Sequence, residues 1–336
     1  MPTIINPFAA GDYLAELTAA INKIKPARLR LRELGLFRER PVSHTTVVVE
    51  ELDGTLSVLP SRPRGGPATV ASKTTRTLRS FAIPHFPHDD VVLPADIQDV
   101  RRFGSDAPLL DPDLAGQKLE FLRAKHDLTR EYLELNALFG TVKDGEGTTL
   151  YNYFTEFGLT QITVDFDLGT ATTDVKAKCR EVLRQMEEEA RGVAFTGVRA
   201  LVSSEFFDKL VNHDSVKEAY LNWQAASALS ADVRPGFPFG GIVFEEYRTV
   251  FPKPGGSSER LIAANDGIAF PTGTVGVFET YFAPPNVIDR VNTPGVPIFV
   301  RAIPRLDGSG IDIKSESNLL PLVTRPRLCI KLTTTT

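Results

Sequence analysis

A chain of 336 residues with 42% hydrophobic and 24% charged residues can bury a large core or several packed sub-domains, which excludes disorder as its overall state. Its 38 basic residues against 42 acidic ones give a net charge of -4, which excludes a strongly basic nucleic-acid-binding protein. Two widely separated cysteines, Cys179 and Cys329, make neither a disulfide framework nor a thiolate metal site and point to a reducing compartment.

The first residues, Met1-Pro2-Thr3-Ile4-Ile5-Asn6, lack a cationic region followed by an apolar run, so no secretory signal is expected. No apolar stretch approaches the roughly 18 residues that span a bilayer, and the expectation is a protein made and assembled in the cytoplasm. Leu14, Leu17, Ile21 and Ile24 recur at helical spacing until Pro26 ends the helix. A basic connector overlaps it: Lys23, Lys25, Arg28, Arg30, Arg32, Arg38 and Arg40 are opposed only by Glu33 and Glu39. Such a run reads as a solvated face or a subunit contact, with weak contact to a polyanion as the alternative.

Residues 45–52 are rich in β-branched side chains, Asp53-Gly54 suits a two-residue turn, and 55–59 return until Pro60, which predicts a β-hairpin. The loop Ser61-Arg62-Pro63-Arg64-Gly65-Gly66-Pro67 follows, then a further extended stretch at 75–83. Residues 42–90 are thus extended with little of their own to pack against, and a chain that keeps such a segment packs it on a neighbour.

The clearest helix covers 111–139, with Asp111 as N-cap, Pro112 in its first turn and Gly140 as its stop. Leu114, Phe121, Leu128 and Leu135, with Tyr132 and Phe139 beside them, make one apolar stripe. At 1.5 Å per residue this helix is about 40 Å long, unusual for a globular domain. A hairpin over 142–153 turns at Asp144-Gly145, and Ile162, Val164, Phe166 and Leu168 alternate along a strand. A second helix over 174–191 puts Val175, Cys179, Val182 and Met186 on one face before Gly192. From Val198 the texture changes to a strand, two short helices capped by Ser204 and Asp214, and short strands at 242–247, 260–264, 275–281, 298–303 and 311–315. The class is α+β, with one long helix and two sub-domains.

Motifs that carry chemistry are scarce. There is no phosphate-cradling loop, and Gly236-Phe237-Pro238-Phe239-Gly240-Gly241 loses N–H donors to its proline. His85-Phe86-Pro87-His88-Asp89-Asp90 is the best candidate for a divalent ion, but it reads as a capped turn in an exposed loop. Asp144-Gly145-Glu146 is too short for a calcium loop, and Gly308-Ser309-Gly310 is a turn rather than a nucleophile elbow. Cys179 reads as a small core residue, while Asp165, Asp167 and Glu187-Glu188-Glu189 read as solvated. No catalytic, cofactor-binding or metal-ligating residue is expected, and no enzymatic activity.

Several segments carry a family resemblance: Leu36-Phe37 leading into the hairpin; Arg62-Pro63-Arg64-Gly65; Arg79-Ser80-Phe81-Ala82-Ile83-Pro84-His85; Asp96-Ile97-Gln98-Asp99-Val100-Arg101; and Leu138-Phe139-Gly140. In them the chain resembles the lambda-type major capsid protein E family of tailed bacteriophages, which has the HK97-like phage capsid fold. The matches are specific in the first third and diffuse after about residue 195. The resemblance implies an N-terminal arm (1–41), an extended loop (42–90), a peripheral domain with a spine helix at 111–139 (91–196), an axial domain (197–295), and return strands of the peripheral domain with the C-terminus (296–336). It implies an icosahedral shell of hexamers and pentamers around a double-stranded DNA genome, found in the virion after assembly in the host cytoplasm. The implied partners are the chain itself, a separate scaffolding protein, a portal, a decoration protein, and non-specific contact with packaged DNA; no cofactor and no membrane are implied. Contact residues are expected on the extended loop: Arg62, Arg64, Arg76 and Arg79, suited to bidentate pairing with carboxylates next door, with Glu50 and Glu51 on the same hairpin. A cellular nanocompartment of the same fold is the alternative reading, and an α+β enzyme the more distant one.

Overall fold

The computed structural model describes residues 18–19, 21–24, 29–53, 75–96, 111–221 and 234–334. The N-terminal part holds helical turns between Thr18 and Lys23, helix α1 (Arg30–Leu34) and strand β1 (Arg38–Pro41). Strands β2 (Thr46–Asp53), β3 (Thr75–Ala82) and β4 (His85–Val92) precede the long helix α2 (Asp111–Leu138). Gly140, at φ 79°, ends α2, and its N–H donates to the Ala137 carbonyl. Then come the hairpin β5 (Thr141–Lys143) and β6 (Thr149–Asn152), helix α3 (Tyr153–Phe157), strand β7 (Thr163–Asp165) and helix α4 (Val175–Ala190). Strand β8 (Gly197–Val202) is followed by helices α5 (Ser204–Asn212) and α6 (Asp214–Leu221). The rest is strands: β9 (Phe237–Phe239), β10 (Ile242–Glu246), β11 (Phe251–Pro252), β12 (Ser258–Glu259), β13 (Asp266–Thr272), β14 (Phe278–Phe282), β15 (Phe299–Pro304), β16 (Ile311–Val323) and β17 (Ile330–Thr333).

Two large sheets organise these elements. The first is built around β16, whose N-terminal part lies between β4 and β15, with Asn318 opposite His85. Its C-terminal part pairs with β14, and β1 adds to β14 in parallel, Arg38 opposite Glu279. The second runs β7-β17-β13-β8-β10-β9. One core joins both: Phe244, Ile268 and Phe270 from the second sheet, Phe282, Leu320 and Leu322 from the first, and Leu133, Leu135 and Leu138 from α2. A satellite core under the first half of α2 holds Ile21, Val92, Leu119, Leu122, Val300 and Ile313.

Several expectations change. Among the described residues β2 pairs with β3, Asp53 opposite Thr75, and the turn expected at Asp53-Gly54 reaches outside the described residues. The return strand expected at 55–59 lies outside the described residues. The expected α2 stripe is met in part: Tyr132 and Leu135 are buried, but Phe121 is exposed beneath the Lys125 ammonium, and Leu119, Leu122, Leu133 and Leu138 join the buried face. Ser203, not Ser204, caps α5, and the His213 imidazole, not Asp214, accepts the Ser215 N–H at the start of α6. The α4 reading holds, with Val175, Cys179, Val182 and Met186 all buried. Residues 260–264 form no strand, and β13 and β17 are strands the periodicity missed. β16 runs on through Pro321, where it pairs only with β14 among the described strands; an edge position costs proline's absent N–H nothing.

The expected boundaries at 196/197 and 295/296 cut across the sheets. Strand β7, from the segment assigned to the peripheral domain, and β17, assigned to its return strands, pair with each other in the same sheet as β8, β10 and β13. Strand β14, assigned to the axial domain, lies in the β16 sheet. Hydrogen-bond register, which no local pattern encodes, decides these memberships.

Candidate subunit-contact surfaces and the charges behind them

The hairpin β2–β3 has two unlike faces, as period-2 alternation requires. Val47 and Phe81, opposite one another, turn inward and are buried. The Phe81 ring meets Tyr151 at 5.4 Å and Phe157 at 6.0 Å between centroids. Arg79, on the same face, lays its guanidinium over Phe157 at 5.5 Å and donates to the Glu156 carbonyl. The Tyr151 hydroxyl donates to the Ala82 carbonyl at 2.9 Å. The opposite face presents Val48 and Leu78, exposed by 56% and 65%, to solvent. Of the contact residues expected from sequence, Arg79 is thus anchored on its own chain. Glu50 lies opposite Leu78, Glu51 opposite Thr77 and Arg76 opposite Leu52 by register, while Arg62 and Arg64 lie outside the described residues.

The basic N-terminal connector was expected to be solvated or to meet another molecule. Instead Arg30, Arg32 and Arg40 find carboxylates within the chain. Arg32 pairs with Asp127 of α2 at 2.8 Å, and Arg123 holds the other oxygen of Asp127 at 3.2 Å. Arg30 chelates Glu245 of β10, which Arg199 of β8 also meets at 3.1 Å. Arg40 meets Glu279 of β14 at 2.9 Å. Glu39 accepts from Arg130 at 2.6 Å, and Arg130 also pairs with Glu134 at 2.7 Å. Residues 29–41 are therefore strapped to α2 and to both sheets, and in the described part of the connector Lys23 and Arg38 are the exposed cations.

These pairs explain why the inner half of α2 buries Arg123, Asp127, Arg130 and Glu134, and His126 and Glu131 are buried beside them. Burial opposes the charge of Arg130, but Glu134 and Glu39 outweigh it and hold its pKa above the ordinary value. Glu131 differs. One oxygen accepts the Leu31 N–H at 3.0 Å and the Tyr247 hydroxyl at 3.2 Å, while Oε2 is buried without a hydrogen bond among the described residues. No cation lies within ion-pair distance of it among those residues. Burial pushes its pKa up to about 7, with the Glu134 charge adding to the rise and its hydrogen bonds opposing it. His126 donates or accepts at Ser315 at 2.9 Å; burial, then the charges of His88 and Lys125, lower its pKa to about 4. Two of these pairs, Arg123–Asp127 and Arg130–Glu134, stand at i,i+4 spacing on α2 and are buried.

The His85–Asp90 segment is strand β4, not an exposed loop. His85 turns to Asn318 and Glu316, Asp90 to Lys118, and Ser315 donates to the His88 carbonyl. Among the described residues no three His, Cys, Asp or Glu side chains come together as metal ligands. Both cysteines are buried, and burial raises the Cys179 thiol to about 12 and the Cys329 thiol higher still. An open groove of about 580 Å³ lies between the base of the hairpin and the segment after β14, with Ile83, Pro284, Ile288 and Val291 on its walls. No described helix is long and apolar enough to cross a membrane.

Residues 13–334 match the family model for phage major capsid protein E. The chain belongs to this family. It is 32% identical to the major capsid protein of Pseudomonas phage KPP10, over 89% of this chain and 90% of that one. It is 29% identical to the major capsid protein of Salmonella phage Felix O1, over 95% of each chain. Its fold is similar to the putative capsid protein of an Escherichia coli CFT073 prophage (TM-score 0.57, 12% identity, 96% of this chain and 99% of that one). It is also similar to the mature capsid of bacteriophage PhiM1 (TM-score 0.56, 12% identity, 90% and 86%). The fold is the HK97-like phage capsid fold, of class α+β.

Proposed function

We propose that this major capsid protein is the repeating subunit of an icosahedral shell, built from hexamers and pentamers, that encloses the double-stranded DNA of a tailed phage. The two-faced hairpin carries the reading. Its inner face is secured on α3, and its outer face leaves Val48 and Leu78 uncovered, as a segment made to be covered by another subunit would. Arg62 and Arg64, in the segment that joins its two strands, supply the charged part of the contact together with Glu50, Glu51 and Arg76. The body around α2 and the β16 sheet takes the peripheral place, and the six-stranded sheet takes the axial place around the symmetry axes. A separate scaffold, a portal and a decoration protein complete the assembly, which proceeds in the host cytoplasm. Packaged DNA meets residues before Leu29 without sequence preference. Association, not catalysis, is the function.

Negative-stain electron microscopy with light scattering on the same sample tests this. Closed shells, tubes or capsomer rings are expected from the chain alone or with its scaffold. A monodisperse monomer under both conditions would overturn the reading. Arg64→Glu is expected to impair particle formation with the fold intact by circular dichroism; normal particles from it would remove Arg64 from the contact.

A further inference from the structure

The two most exposed large aliphatic side chains among the described residues are Leu306, wholly exposed, and Ile288, exposed by 89%. Neither position is loose. Leu306 sits at the tip of the β15–β16 hairpin, where the Arg305 N–H donates to Gly310 and the Gly308 N–H to Arg305. Asp307 accepts from the Ser309 N–H and hydroxyl at 3.0 and 2.7 Å, and the Arg305 guanidinium is held by Asp312 at 2.7 Å. Gly308, at φ 71°, takes a conformation that side chains resist. The tip is a pre-set turn displaying one leucine with an anion on one side and a cation on the other.

Ile288 stands on the wall of the open groove, and Val291, exposed by 61%, stands beside it. This wall is fixed as well. Pro284 and Pro285 stiffen it, the Asn318 amide donates to the Pro284 carbonyl at 2.9 Å, and the Asn286 N–H donates to Glu316 at 3.0 Å. Between Ile288 and Val291 lie Asp289 and Arg290, neither in an ion pair among the described residues. Groove and tip therefore offer opposite charges to each other around an apolar centre.

They cannot meet within one subunit. The tip leads into β16 at Ile311 and the groove lies against β16 at Asn318, about 24 Å further along an extended strand. A knob and a hole set apart along one strand are filled by copies of the same chain joined head to tail, which is the kind of contact that closes rings. We propose that Leu306 of one subunit inserts into the Ile288–Val291 groove of a second copy, with Asp307 meeting Arg290 and Arg305 meeting Asp289 at the rim. This rests on the shell reading and adds a contact distinct from the β2–β3 hairpin.

Cross-linking tests it, because both natural cysteines are buried. Particles carrying Leu306→Cys and Ile288→Cys together, oxidised in air and run without reductant, are expected to give a ladder of dimers and higher oligomers. Each single variant should run as monomer. Particles of normal size whose doubly substituted subunits stay monomeric overturn the contact and leave the shell reading standing. Leu306→Asp provides a second arm: the concentration at which particles appear should rise about tenfold or more, with the urea midpoint of the subunit unchanged. Particle formation at the wild-type concentration would also overturn it. Failure of the unsubstituted chain to form particles would count against the shell reading instead.

Discussion

Replacing Glu131 by glutamine removes a buried carboxylate of α2 that faces no cation among the described residues, and its consequence can be worked out in advance. A pKa raised from 4.5 to about 7 corresponds to ~3 kcal/mol at about 1.36 kcal/mol per pH unit. The sign follows from where the proton binds: the folded chain holds it more tightly, so this stability is fully present below the unfolded value of 4.5 and is lost as pH rises through about 7. His126 works in the other direction. Its pKa is lowered to about 4 from 6.5, so its contribution is present above 6.5 and is lost as pH falls toward 4. In the wild-type chain the two largely cancel between pH 5 and 8.5. In Glu131→Gln that offset is gone, so on going from pH 8.5 to pH 5 the variant should lose about 2.5 kcal/mol of stability relative to the wild type. Glutamine can still accept from Leu31 and Tyr247, but its amide nitrogen replaces an oxygen that bonds to nothing, at a pH-independent cost of about 1–3 kcal/mol. Urea unfolding followed by circular dichroism across that pH range measures all of this. Parallel pH profiles for the two proteins would refute the reasoning, because they would mean that Glu131 titrates alike in the folded and unfolded chain.

Arg130→Met strands Glu134 in the core and should cost about 3–5 kcal/mol by urea midpoint, with much of the loss recovered in Arg130→Met/Glu134→Leu. Gly140→Ala drives a methyl group into the Phe154 ring at a positive φ, and a loss of about 3 kcal/mol is expected in the same assay. Leu78→Asp leaves the buried hairpin face untouched, so the thermal midpoint of the subunit should not move while particle formation seen by light scattering declines. Ellman's reagent should find no reactive thiol in the native subunit and two after unfolding, since Cys179 and Cys329 are both buried.

Elements whose information is local were legible in the sequence. Helix α4 carries its core face at regular spacing between Asp174 and Gly192, and the helix with the 3.6-residue pattern and a glycine stop became α2. What failed was pairing at a distance. Nothing near Val49 says that its partner is Arg79, and nothing near Lys331 says that it lies between β7 and β13. Proline and glycine misled in the same way: Pro321 and Gly267 sit inside strands because their neighbours in space, not in sequence, leave room for them. The partners of the buried charges of α2 arrive from residues 30–40 and from Thr280, too far along the chain for any local pattern to announce them. Leu306 and Ile288 left a weak signal, isolated aliphatics in polar turns, whose meaning rests on rigidity that only the hydrogen bonds reveal.

The pairing of early strands with late ones has a kinetic consequence. β1 waits for β14, β4 for β16 and β7 for β17, so neither large sheet can close until residues beyond Val277 have left the ribosome. Such high contact order makes folding slow compared with helical proteins of similar stability. It also acts as a timer: a nascent chain presents isolated strands but no finished surface, and only a completed polypeptide becomes competent to join another.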